Sequence, residues 1–517
     1  MPRLPSLLLA LSLALLGACG GGGSSSGGGT STGAQLSFSG TVTDASGNPV
    51  SGAALFLKVY NQDGSSVTWS GGSAMVTDGQ GRFSFTFDPA NLGAQADSYT
   101  VGVQALAARF LREAWYQATS GSTPDEAQAT RLPAASPGSL SGIALVMEAG
   151  GALNVSVDGP GYVDFLGDSH AWSKRLDSAG SVTAILPADG YVVRFRPDRG
   201  DRLWWAGTGQ NFDPAQAQAI AVQLGQQAAP SPVFQAGYLP DKQVPGLVLQ
   251  RVNHYRRWAG RADLTASSIL DQAAQNHAHY LVQNNLGYSQ GLSLHDEDPS
   301  LQGFTGADAK ARVDAAAQAA GVPSPTTWSP AEDIAPGKGP VEAVDSLVHT
   351  VYHQVPLLHA DTLHLGAGRD RSADGSLEYT VVLAGVSKTP STTGLYTYPA
   401  DGQTGLPTDF TGEIPNPLDN SGLSFPVGAP IGLYAPGHQL TVNAADLTDD
   451  QGGTVGLLIL DQNSDPHGLL KDDNAFLVPH QTLEPFTTYT VTVQYALDGG
   501  PPQSLSFSFT TGAAGPP

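Results

Sequence analysis

The chain has 517 residues, a formal net charge of −22 and one cysteine. A chain of this length exceeds what one hydrophobic core can organise, so several domains are expected. The acidic balance, without any cluster of Lys and Arg, argues against a nucleic-acid partner, and a single cysteine excludes an intramolecular disulfide. The 63 glycines and 37 prolines favour the many turns of all-β modules.

The N-terminus predicts export and a lipid anchor. An apolar run, Leu7–Leu16, is too short to cross a bilayer as a helix, and it leads into Leu16-Gly17-Ala18-Cys19. This ending resembles the bacterial lipobox, which implies that residues 1–18 are a signal peptide and that Cys19 is diacylated, so that the lipid binds a membrane. Gly20 in the next position implies the outer membrane of a Gram-negative bacterium, on its periplasmic face or at the cell surface.

A flexible tether and two β modules follow. Residues 19–33 hold the lipidated cysteine and a spacer of Gly, Ser and Thr that behaves as a coil. Residues 34–148 alternate between apolar and polar positions and resemble carboxypeptidase-regulatory-like and Ig-like sandwiches. Residues 149–235 predict a second β module, in which Trp204 and Trp205 are expected in the core.

The pattern changes to a helical period over residues 240–386. Apolar residues recur at helical spacing in three segments, and a fourth segment is rich in alanine; these are 247–255, 270–281, 341–351 and 306–320. Strand patterns follow at 363–368 and 377–383, so this segment is predicted as an α+β domain.

The β alternation returns over residues 395–514. Its most regular stretch, Leu483–Val493, contains Tyr489, which resembles the tyrosine corner of an Ig-like sandwich.

Stretches of the α+β segment resemble the CAP superfamily, which comprises cysteine-rich secretory proteins, antigen 5 and pathogenesis-related proteins. Val252–Arg256 is similar to the family pattern N-x-Y-R, and Ala273–Ala278 is similar to A-x-x-H-A. Ala331–Ala335 is similar to G-E-N-I-A. Tyr352–Leu358 is similar to G-H-R-x-x-I-L, and Leu365–Gly368 is similar to the I-G-V-G that follows it in the family. It implies a CAP domain of α-β-α sandwich type, flanked by all-β sandwich modules. It also implies a shallow cleft with two histidines and two glutamates, which binds zinc in some members.

The resemblance places His295, Glu332 and His353 in this cleft. The second glutamate of the family falls near Thr350, so a complete set of four is not expected, and Glu342 or Asp345 could replace it only after a register shift. Two neutral imidazoles and a carboxylate suit Zn²⁺ with an open coordination position, and they also suit general acid–base catalysis. In the structural alternative, Glu332 and His353 hydrogen-bond buried backbone and fix the packing.

Other positions near the cleft have different interpretations. His277 lies on the apolar face of its helix and is predicted as a hydrogen-bonded core histidine. His359 is an alternative ligand but is expected in a solvated loop, and His364 also follows His353. Gln354 and Asp333 replace the usual arginine and asparagine, and both are expected to alter charge and hydrogen bonding at the cleft edge.

Two short motifs are interpreted as incidental. The stretch Gly287-Tyr288-Ser289-Gln290-Gly291 fits the G-x-S-x-G pattern of serine hydrolases, but a helix precedes it where that pattern needs a strand, so a helix cap and turn are predicted. Arg199-Gly200-Asp201 spells an integrin-binding tripeptide, and without loop context it carries no functional information.

Three functions remain open. In the first, the cleft is a binding or interaction site for a metal, a small ligand, a peptide or another envelope component. In the second, His295, Glu332 and His353 serve a zinc-assisted hydrolase or peptidase. In the third, the chain is a structural surface protein.

Overall fold

A computed structural model describes residues 35–62, 66–70, 75–104, 110–124, 126–287, 293–391 and 394–513. The lipobox with Cys19, the tether and most of the G-x-S-x-G stretch lie outside these residues. The chain divides into two compact units, residues 1–104 with 114–146, and residues 105–113 with 147–517. Within the described residues, none of the helices is long and apolar enough to cross a membrane.

The first unit consists of β-strands, as the alternating pattern predicts. Its two sheets have the strand orders β4-β1-β9 and β3-β2-β5-β6-β7, and β8 pairs with β5. In β4 every second residue is buried, which is the signature of a strand with one face on a core. The strands are β1 (Leu36–Asp44), β2 (Ala54–Asn61), β3 (Ser66–Trp69), β4 (Arg82–Phe87), β5 (Ala96–Gln104), β6 (Ala114–Gln117), β7 (Gly121–Thr123), β8 (Leu132–Pro133) and β9 (Leu140–Met147).

The second unit begins with another β module. Its sheets have the orders β13-β10-β18 and β12-β11-β14-β15-β16, and β17 pairs with β14. Trp204 and Trp205 are 5% and 7% exposed, which confirms the prediction that both are core residues. The strands are β10 (Gly151–Val157), β11 (Gly161–Leu166), β12 (Ala171–Leu176), β13 (Gly180–Leu186), β14 (Asp189–Pro197), β15 (Leu203–Trp205), β16 (Gln210–Asn211), β17 (Ile220–Val222) and β18 (Val233–Phe234).

The α+β segment is an α-β-α sandwich around a four-stranded sheet of order β19-β21-β22-β20. Alternate side chains of β22 point to opposite faces of the sheet, so the sandwich has a core on each face. Val381 and Leu383 pack with α2 and α3, whereas Val382 and Ala384 pack with α1 and α4. The elements are α1 (Val244–Trp258), β19 (Thr265–Ala266), α2 (Ser268–Gln283), α3 (Ala309–Ala319), β20 (Trp328–Pro336), α4 (Pro340–Val348), α5 (Gln354–Leu358), β21 (Thr362–Arg371) and β22 (Glu378–Ser387).

Two glycines of β21 explain why the family-like stretch Leu365–Gly368 needs small residues. A Cβ on Gly366 would lie 2.4 Å from the Cβ of Leu270, and a Cβ on Gly368 would lie 2.2 Å from the backbone N of Gln275. Both contacts are too short for carbon, so the glycines allow α2 to lie directly on the sheet.

The fourth helix is shorter than its apolar spacing predicts, ending at Val348 and not at Val351. Side chains bond the last carbonyls of α4, as His349 contacts the Asp345 carbonyl at 2.6 Å and Thr350 donates to the Leu347 carbonyl at 2.8 Å. Gln354 donates to the carbonyl of Val348. Since these carbonyls no longer need backbone partners, the helix can end early.

The C-terminal module is a third pair of sheets, with orders β23-β25-β29-β28 and β24-β31-β30-β26-β27. The Tyr489 hydroxyl accepts a hydrogen bond from the Glu484 N–H at 2.8 Å, as expected of a tyrosine corner. The strands are β23 (Tyr396–Tyr398), β24 (Gln403–Leu406), β25 (Ile431–Tyr434), β26 (Leu440–Asp449), β27 (Thr454–Val455), β28 (Leu457–Leu460), β29 (Asn474–Pro479), β30 (Thr488–Leu497) and β31 (Gln503–Thr511).

Candidate functional site

Glu332 lies on β20, the edge strand of the sandwich, and is held by a buried arginine. Nη2 of Arg312, on α3, donates to both carboxylate oxygens at 2.7 and 2.8 Å, and both side chains are at most 2% exposed. Burial by itself would raise the pKa of Glu332, but the hydrogen bond from His295 and the charges of His277 and Arg312 outweigh it and lower this pKa. Glu332 is therefore an ionised, fully engaged carboxylate.

His295 contacts this carboxylate from the solvent side. Its Nδ1 lies 3.1 Å from Oε2 of Glu332, and its side chain is 46% exposed. Arg312 donates to the His295 carbonyl at 3.0 Å, so the same arginine also fixes the backbone of this loop. The structure thus brings together two of the three predicted cleft residues, with Nδ1 of the imidazole bound by a carboxylate.

His277 is a buried core histidine, as predicted. Its Nδ1 lies 2.9 Å from Oε1 of Glu297, and its Nε2 lies 2.8 Å from the carbonyl of Leu294. Glu297 is itself buried and accepts the N–H groups of Thr305 and Gly306 at 2.6 and 3.2 Å. Glu297 therefore ties the loop that carries His295 to α2.

His353 lies at the start of α5 and is oriented by a residue of the C-terminal module. Its Nδ1 is 2.5 Å from Oε1 of Glu413, which belongs to the segment between β24 and β25. Glu413 also accepts the backbone N–H groups of Val351, Tyr352 and His353 at 2.9 to 3.0 Å. Burial alone would lower the pKa of His353, but the hydrogen bond with Glu413 and the charge of Asp333 raise it above its usual value.

The pKa of Asp333 depends on the charges of both histidines. It is 2% exposed, and burial raises its pKa to about 7, although the charges of His353 and His295 both act to lower it. Glu332 shares a face of β20 with Ile334, which packs with α2 and α3, while Asp333 shares the other face with Ala335, which packs with α1 and α4. His295 and His353 therefore flank the same edge strand.

The fourth position of the family cleft holds no carboxylate, as expected. Thr350 is 7% exposed, and its hydroxyl donates to a carbonyl within α4. Glu342 contacts Arg202 at 2.8 Å and Asp345 contacts Arg251 at 2.5 Å, so both acids are engaged elsewhere. Glu413 supplies the second glutamate beside a cleft histidine, and sequence reasoning missed it because it lies outside the resembling segment.

Two expectations about neighbouring residues are wrong. Gln354 is fully buried and accepts a hydrogen bond from the Tyr434 hydroxyl at 2.9 Å, so it joins the sandwich to the C-terminal module and does not alter the cleft edge. His359 is 6% exposed and lies against Asp473, so it is not a solvated loop histidine. In both cases the C-terminal module covers the residue.

The predicted cleft residues fit the zinc expectation only in part, because His295, Glu332 and His353 do not form a group with ligand atoms within 4.8 Å of one another in the described part of the chain. Nδ1 of His295 and Nδ1 of His353 each contact a carboxylate, which is the usual outer-shell arrangement of a metal-binding imidazole. Both oxygens of Glu332 are already bound by Arg312, which suits a supporting role for this carboxylate. Within the part of the chain that the structure describes, the one group of three metal-ligating side chains within 4.8 Å is His359, Asp361 and Asp473.

Comparison with known proteins identifies the sandwich. The model of the cysteine-rich secretory protein family, CAP, matches residues 249–384. The chain carries a CAP domain. The α-β-α fold and the flanking sandwiches agree with the sequence predictions, and the CAP domain supplies His295, Glu332 and His353, while the C-terminal module supplies Glu413.

Three solved structures of bacterial proteins resemble parts of this chain. They include an outer surface protein from Borrelia burgdorferi (18% identity, 29% of this chain and 97% of that chain, TM-score 0.23). An extracellular protein with an SCP domain from Bacillus anthracis has 18% identity over 38% of this chain and 64% of that chain, with a TM-score of 0.21. A cysteine-rich secretory protein from Staphylococcus aureus has 15% identity over 38% and 62%, with a TM-score of 0.19. The search of curated proteins found no match.

Proposed function

We propose that this protein is a lipid-anchored envelope protein whose CAP cleft binds a peptide or a small polar component of the envelope. The observation that carries the proposal is the pair of imidazoles beside β20, each with a carboxylate on its Nδ1. His295 is held by Glu332 and His353 by Glu413. Fixing Nδ1 in this way leaves Nε2 of each ring to bind a ligand.

The state of the carboxylates favours binding over hydrolysis. Glu332 has a lowered pKa and both oxygens bound by Arg312, so it is poorly suited to give or take a proton during a reaction. Asp333, whose pKa is near neutrality, is 2% exposed and therefore has little access to a substrate. A buried, ionised Glu332 beneath the half-exposed imidazole of His295 suits recognition by hydrogen bonds.

Zinc is the second candidate ligand of the cleft, and with zinc bound the protein would be a hydrolase or peptidase. The carboxylate behind each imidazole favours it, because such a carboxylate raises the basicity of the ring and fixes its orientation. With two imidazoles as the protein ligands the site would be weak and would lose the cation as the rings become protonated.

Binding to cell-wall material tests the proposal. Purified sacculi and the soluble peptides released from them serve as probes, and co-sedimentation and calorimetry give the affinities. We expect His295→Ala and His353→Ala each to weaken binding at least about tenfold, since a buried cluster of hot-spot contacts carries most binding energy. The control is His279→Ala, since the side chain of His279 is 61% exposed and pairs with Asp370 on the surface.

Each result of this experiment has a defined meaning. Equal binding by the two variants and the wild type would show that the cleft is not the site. No binding by the wild type would favour the structural surface protein. Zinc binding that is lost in both cleft variants, together with peptide hydrolysis, would favour the second candidate.

A further inference from the structure

A cavity of about 190 Å³ lies between the CAP domain and the C-terminal module. The CAP side contributes Val355, Pro356 and His359, and the module contributes residues 469–471 with Asp473 and Asn474. Most of this wall is apolar. Buried polar atoms beside an apolar wall normally have hydrogen-bond partners, because burying a polar atom without one costs free energy.

Two buried polar atoms at this cavity form no hydrogen bond among the described residues, namely Nε2 of His359 and Oδ1 of Asn474. The two residues are 6% and 2% exposed. Nε2 lies 3.2 Å from Oδ2 of Asp473, close enough for an ion pair but without the geometry of a hydrogen bond. A separation near 3 Å between an imidazole nitrogen and a carboxylate oxygen is also that of two ligands on one cation.

The two carboxylates near His359 have different positions: Asp473 faces Nε2 of the imidazole, and Asp361 lies near Nδ1. Oδ1 of Asp473 accepts a hydrogen bond from Asn474 Nδ2 at 3.0 Å, while its Oδ2 faces the imidazole. Oδ1 of Asp361 accepts from the N–H and hydroxyl of Ser391 at 2.6 and 2.7 Å, and its Oδ2 lies 3.8 Å from Nδ1 of His359. In each carboxylate one oxygen is fixed and the other faces the histidine.

The charge of the cluster suits a divalent cation. The two aspartates carry two formal negative charges beside one imidazole, and Lys471, which also lines the cavity, offsets one of them. The Asp361 N–H donates to Nδ1 of His359 at 3.2 Å. A cation at Nε2 would require the ring proton on Nδ1, on the side where Oδ2 of Asp361 lies 3.8 Å away.

We propose that His359 and Asp473, with Asp361 behind the imidazole, bind a divalent transition-metal cation such as Zn²⁺ at the wall of this cavity. Asn474 offers a further oxygen, and the cavity has room for water or for a donor atom of a small ligand. Imidazole nitrogen and carboxylate oxygen are ligands that first-row transition metals accept, whereas Ca²⁺ prefers oxygen alone. The cation would link the CAP domain to the C-terminal module, because its ligands come from both.

Titration calorimetry with Zn²⁺ on the full chain, freed of metal by EDTA, tests this inference. We expect binding in the wild type that is at least about tenfold weaker in His359→Gln and in Asp473→Asn. The matched control is His364→Gln, since His364 follows on β21 and its ring contacts the Thr265 hydroxyl at 2.7 Å and the Trp328 ring. Co²⁺ in place of Zn²⁺ gives a second measurement through visible absorption bands, and Ca²⁺ should bind more weakly.

The cleft variants separate this site from the proposed function. His295→Gln and His353→Gln should leave the binding assigned to His359 intact, and His359→Gln should leave the binding of cell-wall peptides intact. Unchanged Zn²⁺ affinity in His359→Gln and Asp473→Asn would overturn the inference, as would a wild type that binds no Zn²⁺. Circular dichroism in EDTA establishes that each variant is folded, and Asp473→Asn keeps the shape of the side chain if the histidine variant is unstable.

Discussion

His353 of the CAP domain and Glu413 of the C-terminal module form a contact of 2.5 Å between Nδ1 and Oε1. The same carboxylate accepts three backbone N–H groups at the start of α5. One residue from outside the CAP domain thus sets both the backbone and the ring orientation of a cleft histidine, which makes the C-terminal module part of the site.

Glu413→Gln should lower the pKa of His353 towards or below its usual value. Burial already lowers this pKa, and the variant removes the largest effect that raises it. The raised pKa stabilises the fold below about pH 6.5, and this contribution disappears as the pH rises through the folded-state value. Nitrogen-detected NMR titration of the imidazole measures the shift, and exposed Glu484→Gln is the control. An unchanged His353 pKa would contradict the role of Glu413.

Arg312→Leu should destabilise the CAP domain by about 3–5 kcal/mol, because it leaves the ionised Glu332 buried without its partner. The loss should be greatest above the usual glutamate pKa and should shrink as acid protonates Glu332. Urea denaturation at several pH values measures it. Lys310→Met, which removes an exposed ion pair with Asp314, should cost less than about 1 kcal/mol. If both variants cost the same, the Arg312–Glu332 pair is not a buried support of the cleft.

Asp333→Asn should stabilise the protein at neutral and alkaline pH. Burial raises the pKa of Asp333 to about 7. The charges of Glu413 and Glu332 also raise this pKa, whereas those of His353 and His295 lower it. With a raised carboxyl pKa, the native state keeps the proton to a higher pH than the unfolded state does. The wild type therefore loses stability as the pH rises from about 4 to about 7. The advantage of the variant should grow over this interval, up to a few kcal/mol, and then stay constant. An advantage that is equal at acidic and alkaline pH would contradict the raised pKa.

The pair Arg369–Asp201 should be essential to the junction between the second β module and the CAP domain. The Arg369 side chain is fully buried and donates to Asp201 at 2.7 Å and to the Leu239 carbonyl at 2.5 Å. Asp201→Ala should therefore cost about 3–5 kcal/mol and speed proteolysis near residues 235–240. Because Asp201 is 8% exposed, the Arg199-Gly200-Asp201 tripeptide should not bind integrin in a solid-phase assay. Unchanged protease sensitivity in Asp201→Ala would mean that the pair does not hold this junction.

Cys19→Ser should abolish the proposed lipid anchor, because the lipobox-like ending places the thiol at the position that receives the diacylglycerol. Labelled palmitate incorporation and membrane fractionation measure the effect, with Ser24→Ala in the tether as the control. A Cys19→Ser protein that still takes up palmitate and sediments with membranes would show that the anchor lies elsewhere.

The sequence by itself determined the helical or extended character of most segments, but not where the fourth helix ends, since the periods of 3.6 and 2 depend on local alternation. It predicted helices at α1, α2 and α3 and β structure on either side of them, and it predicted that His277 and the two tryptophans are buried. His295, Glu332 and His353 were found through resemblance to a family, because their own neighbours along the chain carry no signal for a cleft.

Only the tertiary structure decided what these residues contact. Glu413 lies 60 residues beyond His353 in the chain, and Arg312 lies 20 residues before Glu332, so neither contact follows from local pattern. The burial of Asp333, Gln354 and His359 depends on which neighbouring elements cover them. The pKa values of such groups follow from desolvation and from the charges of distant segments, and these are properties of the folded chain alone.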